Sequence, residues 1–141
     1  MPVPVPAALA DLIAAMPFAA ALGITLTAAA AQRASGEMHC TPERCTAGGL
    51  LHGGAVMALA DTVGAVCAYL NLPDGAATAT IESKTNFFRG VRAGTTLHAS
   101  ARPLHVGQSF IVVQTDLADD SGRAIGQTTQ TQAVIMPRPA G

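Results

Sequence analysis

One acidic side chain, Asp61, interrupts an apolar run that extends from residue 53 to residue 72. A carboxylate in such surroundings loses part of its hydration, which costs several kcal/mol unless hydrogen bonds compensate. Perturbed carboxylates in clefts are candidate nucleophiles or general bases, so Asp61 is the first catalytic candidate. The alternative is an Asp61 side chain that points to solvent along the one exposed line of a helix. The neighbouring turns offer no polar face to support that alternative, because they carry Met57, Ala58, Gly64, Ala65 and Ala68.

The tripeptide His52, Gly53 and Gly54 stands where a helix over this run is expected to begin. The first N–H groups of a helix have no partner within it and carry the positive end of its dipole. Backbone donors of this kind can stabilise the oxyanion of an acyl-transfer reaction. The alternative is a glycine-rich loop shaped only for a tight turn.

The spacing of Gly53 and Asp61 constrains how they can act together. Eight residues separate them, and a rise of about 1.5 Å per residue places them roughly 12 Å apart along one helix. They cannot easily contact the same carbonyl group at that distance. If both act on one thioester, each must come from a different subunit, which predicts a site at a dimer interface.

The elements that position these residues follow from the hydrophobic pattern. Residues 7–22 predict a short helix, or two helical pieces around Pro17, that covers the core. Residues 24–40 predict two strands and a turn, with a clear alternation only after Gly36. The run 53–72 predicts the central helix.

Four more strands are predicted after Pro73, Asp74 and Gly75, which end that helix. The connections between them are short, so successive strands are expected to be antiparallel. The order of elements predicts an α+β fold with one helix packed on one sheet, in a single domain over residues 1–141. The four strands are predicted over residues 78–91, 96–104, 109–117 and 125–136.

Composition narrows the possible partners and compartment. Half of the residues are hydrophobic and 12% are charged, which favours burial between subunits in a homo-oligomer. A net charge of -1 argues against nucleic-acid binding. Residues 12–31 are uncharged, but Pro17 and Gly23 interrupt them and no Lys or Arg precedes them, so we expect no membrane insertion. Three cysteines without a Cys-x-x-Cys pair fit a reducing cytoplasm and predict no metal site.

The segment 49–54, which contains His52, Gly53 and Gly54, is followed by the segment 58–62, and together they resemble the signature of hotdog-fold thioesterases. The similarity extends over residues 23–136 and includes the segments 85–89 and 104–109. The phenylacetate-degradation and aryl-CoA thioesterases are the branch that it resembles most. The resemblance implies a curved antiparallel sheet wrapped around a long central helix, in dimers that often form tetramers.

The resemblance also implies roles for the residues of the motif. The Gly53 N–H is expected to polarise the thioester carbonyl, and His52 to shape the loop that presents it. Asp61 of the facing subunit is expected to attack the thioester or to activate water. Thr46 stands where relatives commonly carry Asn or Gln, and Ala65 where some carry Ser or Thr. Other branches supply that hydroxyl from the following strand, which here is assigned to Thr80 rather than Thr78.

The expected substrate is an acyl-CoA with an aromatic or medium-chain acyl group, hydrolysed to the free acid and CoA without a metal or cofactor. Coenzyme A carries phosphates, so cationic or backbone donors are expected at the mouth of the site. Two alternatives stay open, namely a non-catalytic acyl-CoA-binding module and a hotdog-fold enoyl-CoA hydratase or dehydratase. The expected substrate-binding residues are Gly54, Thr62, Arg89, Gly107, Gln108 and Ser109, with Arg92 a further candidate.

Overall fold

The computed structural model describes residues 6–140, which form one sheet, one long helix and two short ones. The six strands are all antiparallel and lie in the order β1-β2-β4-β5-β6-β3. The α+β architecture predicted from the sequence is confirmed. The elements are α1 (Pro6–Ala14), α2 (Pro17–Ala21), β1 (Thr25–Ala30), β2 (Arg33–His39), a 3-10 turn (Pro42–Arg44), α3 (Gly53–Tyr69), β3 (Ala77–Phe87), β4 (Thr96–Val106), β5 (Phe110–Ala118) and β6 (Ala124–Ile135).

The central helix α3 begins at Gly53 and ends at Tyr69, three residues before the predicted end. Most of its side chains are buried because the sheet curves around it. Leu59, Val63 and Cys67 are fully buried and pack in the core between helix and sheet. The apolar composition of this helix therefore reflects contact with the sheet on several sides.

The face of the sheet that contacts α3 has an apolar region on one flank of the helix and a polar region on the other. Strands β2, β4 and β5 supply fully buried residues such as Met38, Leu97 and Ile111. Strand β6 instead buries Thr128, Gln130 and Gln132 beneath the helix; next to them on β5 lies Thr115. The central helix thus packs on hydrocarbon along one flank and on hydroxyl and amide groups along the other.

The first hairpin differs in detail from its prediction. The turn between β1 and β2 lies at Ala31 and Gln32, and β2 already begins at Arg33. Gly36 lies in the middle of β2, where a Cβ would come within 2.8 Å of the Thr25 carbonyl oxygen and 2.9 Å of Val63. The glycine is required by this close approach of strand and helix and not by a turn.

Strand β3 forms an edge of the sheet. Its eleven residues pair with β6 on one side, and no strand of the described chain lies on the other. Ile81 and Phe87 are more than half exposed on this strand. A long edge with exposed apolar side chains is a surface that proteins normally cover.

The N-terminal segment forms two helices separated by Ala15 and Met16, which is the second of the two arrangements that the sequence allows. Leu9 and Ile13 of α1 are buried in the core cluster, and they lie against the start of β1. Among the described residues, no helix combines the length and hydropathy that a bilayer span requires.

Candidate active site

At the start of α3, the N–H groups of Gly53 and Gly54 differ in their hydrogen bonding. His52 is the N-cap residue, and its Nδ1 accepts a hydrogen bond of 2.8 Å from the Gly54 N–H. The His52 carbonyl accepts the N–H groups of Ala55 and Val56. Within the described chain, the Gly53 N–H donates to no other group. One donor at the positive end of the helix is therefore available to a ligand.

A cavity of about 400 Å³ lies beside the start of α3, with Gly53 in its lining. The Phe87 ring lies 3.6 Å from the place where a Cβ on Gly53 would stand, an ordinary van der Waals contact, so the ring lies directly beside this glycine. The walls are mainly apolar, with a threonine hydroxyl and an arginine among them. The lining residues are Thr46, Leu50, Leu51, Gly53, Val56, Phe87, Phe88, Arg89, Gly90 and Val91.

Asp61 lies two turns further along α3, on a strip of the helix surface that is exposed to solvent in the single chain. Met57, one turn earlier, is 39% exposed on the same strip. The carboxylate itself is turned toward the sheet, where the Gln130 Nε2 donates to Asp61 Oδ1 at 3.3 Å. Partial burial raises the pKa of the Asp61 carboxyl, and the hydrogen bonds of Gln130 and Thr80 act against that rise.

A chain of hydrogen bonds extends from Asp61 into the sheet. The second proton of the Gln130 amide points to Gln132 Oε1 at 3.2 Å, and the Thr80 hydroxyl donates to the same oxygen at 2.6 Å. The Gln132 amide donates in turn to the Thr78 hydroxyl at 3.2 Å. Because the Thr80 hydroxyl has a single proton, it can serve Asp61 or Gln132 but not both at once.

Gly53 and Asp61 do not share a cavity in the single chain. Both lie on one continuous helix, eight residues or about 12 Å apart, and Asp61 is not among the residues that line the Gly53 cavity. The structure therefore contains two separate parts of a site. We call them the Gly53 half (the cavity and the free N–H) and the Asp61 half (Asp61, Thr80, Gln130 and Gln132).

The other expected site residues fall into two groups. Thr46 and Arg89 line the Gly53 cavity, while the Thr46 hydroxyl also accepts the Gly48 N–H at 3.3 Å. Arg89 also donates from Nη1 to the Ala124 carbonyl. Thr62 is not brought to the cavity, because its side chain is buried and its hydroxyl donates to the Ala58 carbonyl at 2.7 Å.

The remaining expected substrate contacts lie elsewhere in the chain. Gly107, Gln108 and Ser109 form the turn between β4 and β5, and none of the three lines the Gly53 cavity. Arg92 follows the cavity residue Val91 and lines a separate cleft of about 310 Å³ with Arg123. Within one chain, these groups are therefore not assembled with the Gly53 half.

Gln130 and Gln132 are the site residues that the sequence did not predict. Both belong to a strand in which polar side chains occupy both faces, so that alternation gives no inward face. The sequence indicates these glutamines only indirectly. A strand inside a sheet that wraps a helix must bury one of its faces, and on β6 either choice buries amides or hydroxyls.

Residues 48–125, which contain Gly53 and Asp61, match the family model described as the thioesterase superfamily. The matched region is more than half of the chain. The chain belongs to the thioesterase superfamily. The ComA2 protein of Bacillus subtilis is 35% identical over 117 residues, which are 82% of this chain and 91% of that protein.

Other members of the thioesterase superfamily are similar over parts of their length. The 1,4-dihydroxy-2-naphthoyl-CoA hydrolase of Escherichia coli is 33% identical over 87 residues, 62% of this chain and 63% of that enzyme. The chain thus spans just under two thirds of that relative, and 60% of a Vibrio cholerae relative.

A solved structure shows the same fold over nearly the whole chain. A mutant thioesterase from Pseudomonas aeruginosa superposes with a TM-score of 0.84 at 29% identity, covering 90% of this chain and 93% of that one. The expected hotdog fold is confirmed. The superfamily match ends at residue 125, so it contains Asp61 and Thr80 but neither Gln130 nor Gln132.

Proposed function

We propose that the protein hydrolyses acyl-CoA thioesters to the free acid and CoA, at sites that each combine the Gly53 half of one subunit with the Asp61 half of another. The observation that carries this proposal is the Gly53 N–H, the one donor at the start of α3 that neither the helix nor His52 uses. Gly53 lines an apolar cavity, and a backbone donor in such surroundings acts strongly on a developing oxyanion.

The first step of the reaction concerns the thioester carbonyl. The carbonyl oxygen accepts the Gly53 N–H, which draws electrons away from the carbonyl carbon and stabilises the negative charge of the tetrahedral intermediate. His52 supports this step from the other side, because its Nδ1 holds the Gly54 N–H and fixes the turn. Thr46 lies on the wall of the same cavity, where its hydroxyl can contact the substrate or a water molecule.

Asp61 supplies the attacking group in one of two ways. As a nucleophile, its carboxylate displaces the CoA thiolate to form an anhydride, which water then hydrolyses. As a general base, it removes a proton from water as the water attacks the thioester carbon. Both routes need the ionised carboxylate, and a raised pKa makes Asp61 a stronger base than an ordinary aspartate.

The free edge of β3 explains how two subunits would combine the halves. Thr80 of this strand lies beside Asp61, and Phe87 of the same strand lies beside Gly53. In an antiparallel pair of two β3 strands, a register with Thr80 opposite Phe87 brings the Asp61 half of each subunit to the Gly53 half of the other. Such a pair also covers the exposed Ile81 and Phe87 side chains.

The walls of the Gly53 cavity support an aromatic or medium-chain acyl group. Leu50, Val56, Phe87 and Phe88 present hydrocarbon and aromatic surface, which binds apolar groups without a charged partner. Arg89 on the same wall is a donor for the phosphates of coenzyme A. The similarity to the Escherichia coli enzyme, whose name describes an aryl-CoA substrate, supports the same substrate class.

The proposal is tested by measuring thiol release from benzoyl-, phenylacetyl-, hexanoyl- and octanoyl-CoA. We expect release by the native protein and a loss of at least about 10²-fold in Asp61→Asn, which keeps the shape of the side chain without its charge. Asp74→Asn, on an exposed loop after α3, is the matched control and should retain the native rate. No release from any thioester, or a native rate in Asp61→Asn, would show the proposal to be wrong.

The two roles of Asp61 are separated by single-turnover hydrolysis in oxygen-18 water. Label on Asp61 identifies a nucleophilic carboxylate, because it enters only when water attacks the aspartyl carbonyl of the anhydride and the product acid leaves with an oxygen from Asp61. Attack at the acyl carbonyl instead puts the label on the product acid, so trapping of the anhydride decides that case. A general base delivers the label directly to the product acid.

A further inference from the structure

The Gln130 side chain connects the sheet to the proposed catalytic acid. It is 1% exposed, and its amide nitrogen donates one proton to Asp61 Oδ1 at 3.3 Å and the other to Gln132 Oε1 at 3.2 Å. A carboxylate can only accept, so contact with Asp61 determines that the NH₂ group of the amide faces the Asp61 carboxylate. The Gln130 Oε1 then points away from Asp61.

Gln132 holds Gln130 in this orientation. Its own Oε1 accepts from Gln130 and from the Thr80 hydroxyl, and its amide nitrogen donates to Thr78 Oγ1. Thr78 completes the series by donating to the Ala133 carbonyl at 2.8 Å. Because the Thr78 proton goes to the Ala133 carbonyl, Thr78 Oγ1 must accept from Gln132, which turns Gln132 Oε1 toward Gln130.

Space for the Gln130 amide comes from Gly64, which lies one turn after Asp61 on α3. A Cβ at this position would collide with Gln130 Oε1, lie 2.7 Å from its Cδ and lie 3.2 Å from Thr115 Oγ1. Both Gln130 and Thr115 are essentially inaccessible to solvent, so neither can retreat outward. Only a glycine at position 64 leaves the amide where it reaches Asp61.

From this arrangement we infer that Gln130 is a positioning residue for the proposed reaction, holding Oδ1 of Asp61 so that the other carboxylate oxygen is presented to substrate, with Gly64 providing the space. The inference rests on the proposed function, in which Asp61 acts on the thioester. A carboxylate on an exposed helical strip otherwise rotates freely about its side-chain torsions, and a misplacement of about 1 Å can cost on the order of 10²-fold in rate.

An alternative role for Gln130 is purely structural, as a buried polar residue that helps to join β6 to α3. The two roles differ in their effect on the ionisation of Asp61. Gln130 donates to the charged form of the carboxylate, which lowers the pKa of Asp61 against the opposing effect of burial. Among the described residues no charged side chain shifts that pKa, and the groups that act on it are Gln130 of β6 and Thr80 of β3.

The test compares Gln130→Met, which keeps the length of the side chain without donors, with Gly64→Ala, which displaces an unchanged Gln130. Gln127→Met is the matched control, because Gln127 belongs to the same strand but bonds to Asp116 on the other face. The rate is measured against pH for each protein that melts cooperatively. We expect a fall in kcat of about 10²-fold, little change in KM, and an acid limb that moves to higher pH in both variants but not in the control.

A second readout keeps the inference separate from the proposed function. The carboxyl carbon of Asp61 is titrated by NMR in the native protein, in both variants and in the control, with no substrate present. A higher pKa of Asp61 in Gln130→Met or Gly64→Ala supports the positioning role even if no thioester is hydrolysed. If the pKa and the acid limb in folded variants equal those of Gln127→Met, Gln130 is structural and the inference is wrong.

Discussion

At the scale of single residues, the proposed site depends on two adjacent backbone N–H groups, of which one has a hydrogen-bond partner and the other has none among the described residues. His52 takes the Gly54 N–H with its ring nitrogen, while the Gly53 N–H keeps no partner in the described chain. A cap normally satisfies the donors that a helix cannot. Here the His52 cap satisfies the Gly54 N–H and leaves the Gly53 N–H unpaired within residues 6–140, so the same imidazole stabilises the helix and leaves the donor that the proposed reaction uses.

Proline at position 53 would remove this donor with little other change. Proline is tolerated at the first position of a helix, and His52 already has φ -60 and ψ 135, the extended backbone that a following proline requires. We expect Gly53→Pro to fold and to lose about 10²–10³ in kcat, since the oxyanion donor is gone. Gly53→Ala keeps the N–H, adds a methyl group 3.6 Å from Phe87, and should be far more active in the same thiol-release assay.

Asp61→Asn is expected to raise thermal stability while it abolishes activity. Burial raises the pKa of the Asp61 carboxyl in the folded chain, so ionisation costs stability as the pH rises through that pKa. We expect a Tm about 1–3 °C above native near pH 7, measured by calorimetry. The difference should shrink as the pH falls toward the ordinary aspartate pKa of about 4, because below that pH the carboxyl is protonated in the folded and the unfolded chain alike. A Tm gain that persists at low pH would have another cause.

At the scale of elements, the position of α3 depends on how closely β2 approaches it. Gly36 brings the strand against Val63 of the helix and Thr25 of β1, with no room for a side chain. We expect Gly36→Ala to lower the free energy of unfolding by about 1–3 kcal/mol, because strand and helix must separate. Gly48→Ala is the control in the same urea titration, since its Cβ would meet only Thr46 Oγ1 at 3.7 Å. Equal midpoints for the two variants would contradict this account.

The elements differ in how well the sequence predicts them. The long apolar run and its end at Pro73 predict α3 to within three residues, and short connections predict the antiparallel order after it. The alanine run before Gly36 has no period, so the sequence predicts a turn between the two strands but not its position at Ala31 and Gln32. Strand β6 was predicted, but not its inward face, because threonines and glutamines alternate only with one another. The sequence alone therefore predicts Asp61 and Thr80 of the Asp61 half, but not its two glutamines.

At the scale of the whole molecule, each chain carries both halves of the proposed site at separate places on one helix. The rigid helix between Gly53 and Asp61 sets their separation, so flexibility of the chain does not close the distance. In the proposed pair of subunits, two complete sites form at once, each from one half of either chain.

Mixing two inactive variants tests this division directly. Gly53→Pro lacks the donor and Asp61→Asn lacks the acid, so each homodimer has no native site. After co-refolding in equal amounts, about half of the dimers are mixed and each has one native site of two, which predicts recovery of about a quarter of the native rate. Each variant refolded alone serves as the control. Activity that stays at the level of the separate variants would mean that one chain forms the whole site.

Pairing of two subunits through β3, as proposed, would make catalysis depend on the concentration of the protein. When catalysis requires two β3 strands to meet, the number of working sites at high dilution rises with the square of the amount of chain present. Specific activity would then fall on dilution and return, after a lag, on concentration. A newly made chain would stay inert until it encounters another copy, so the rate of encounter, and not the rate of folding, would decide when activity begins.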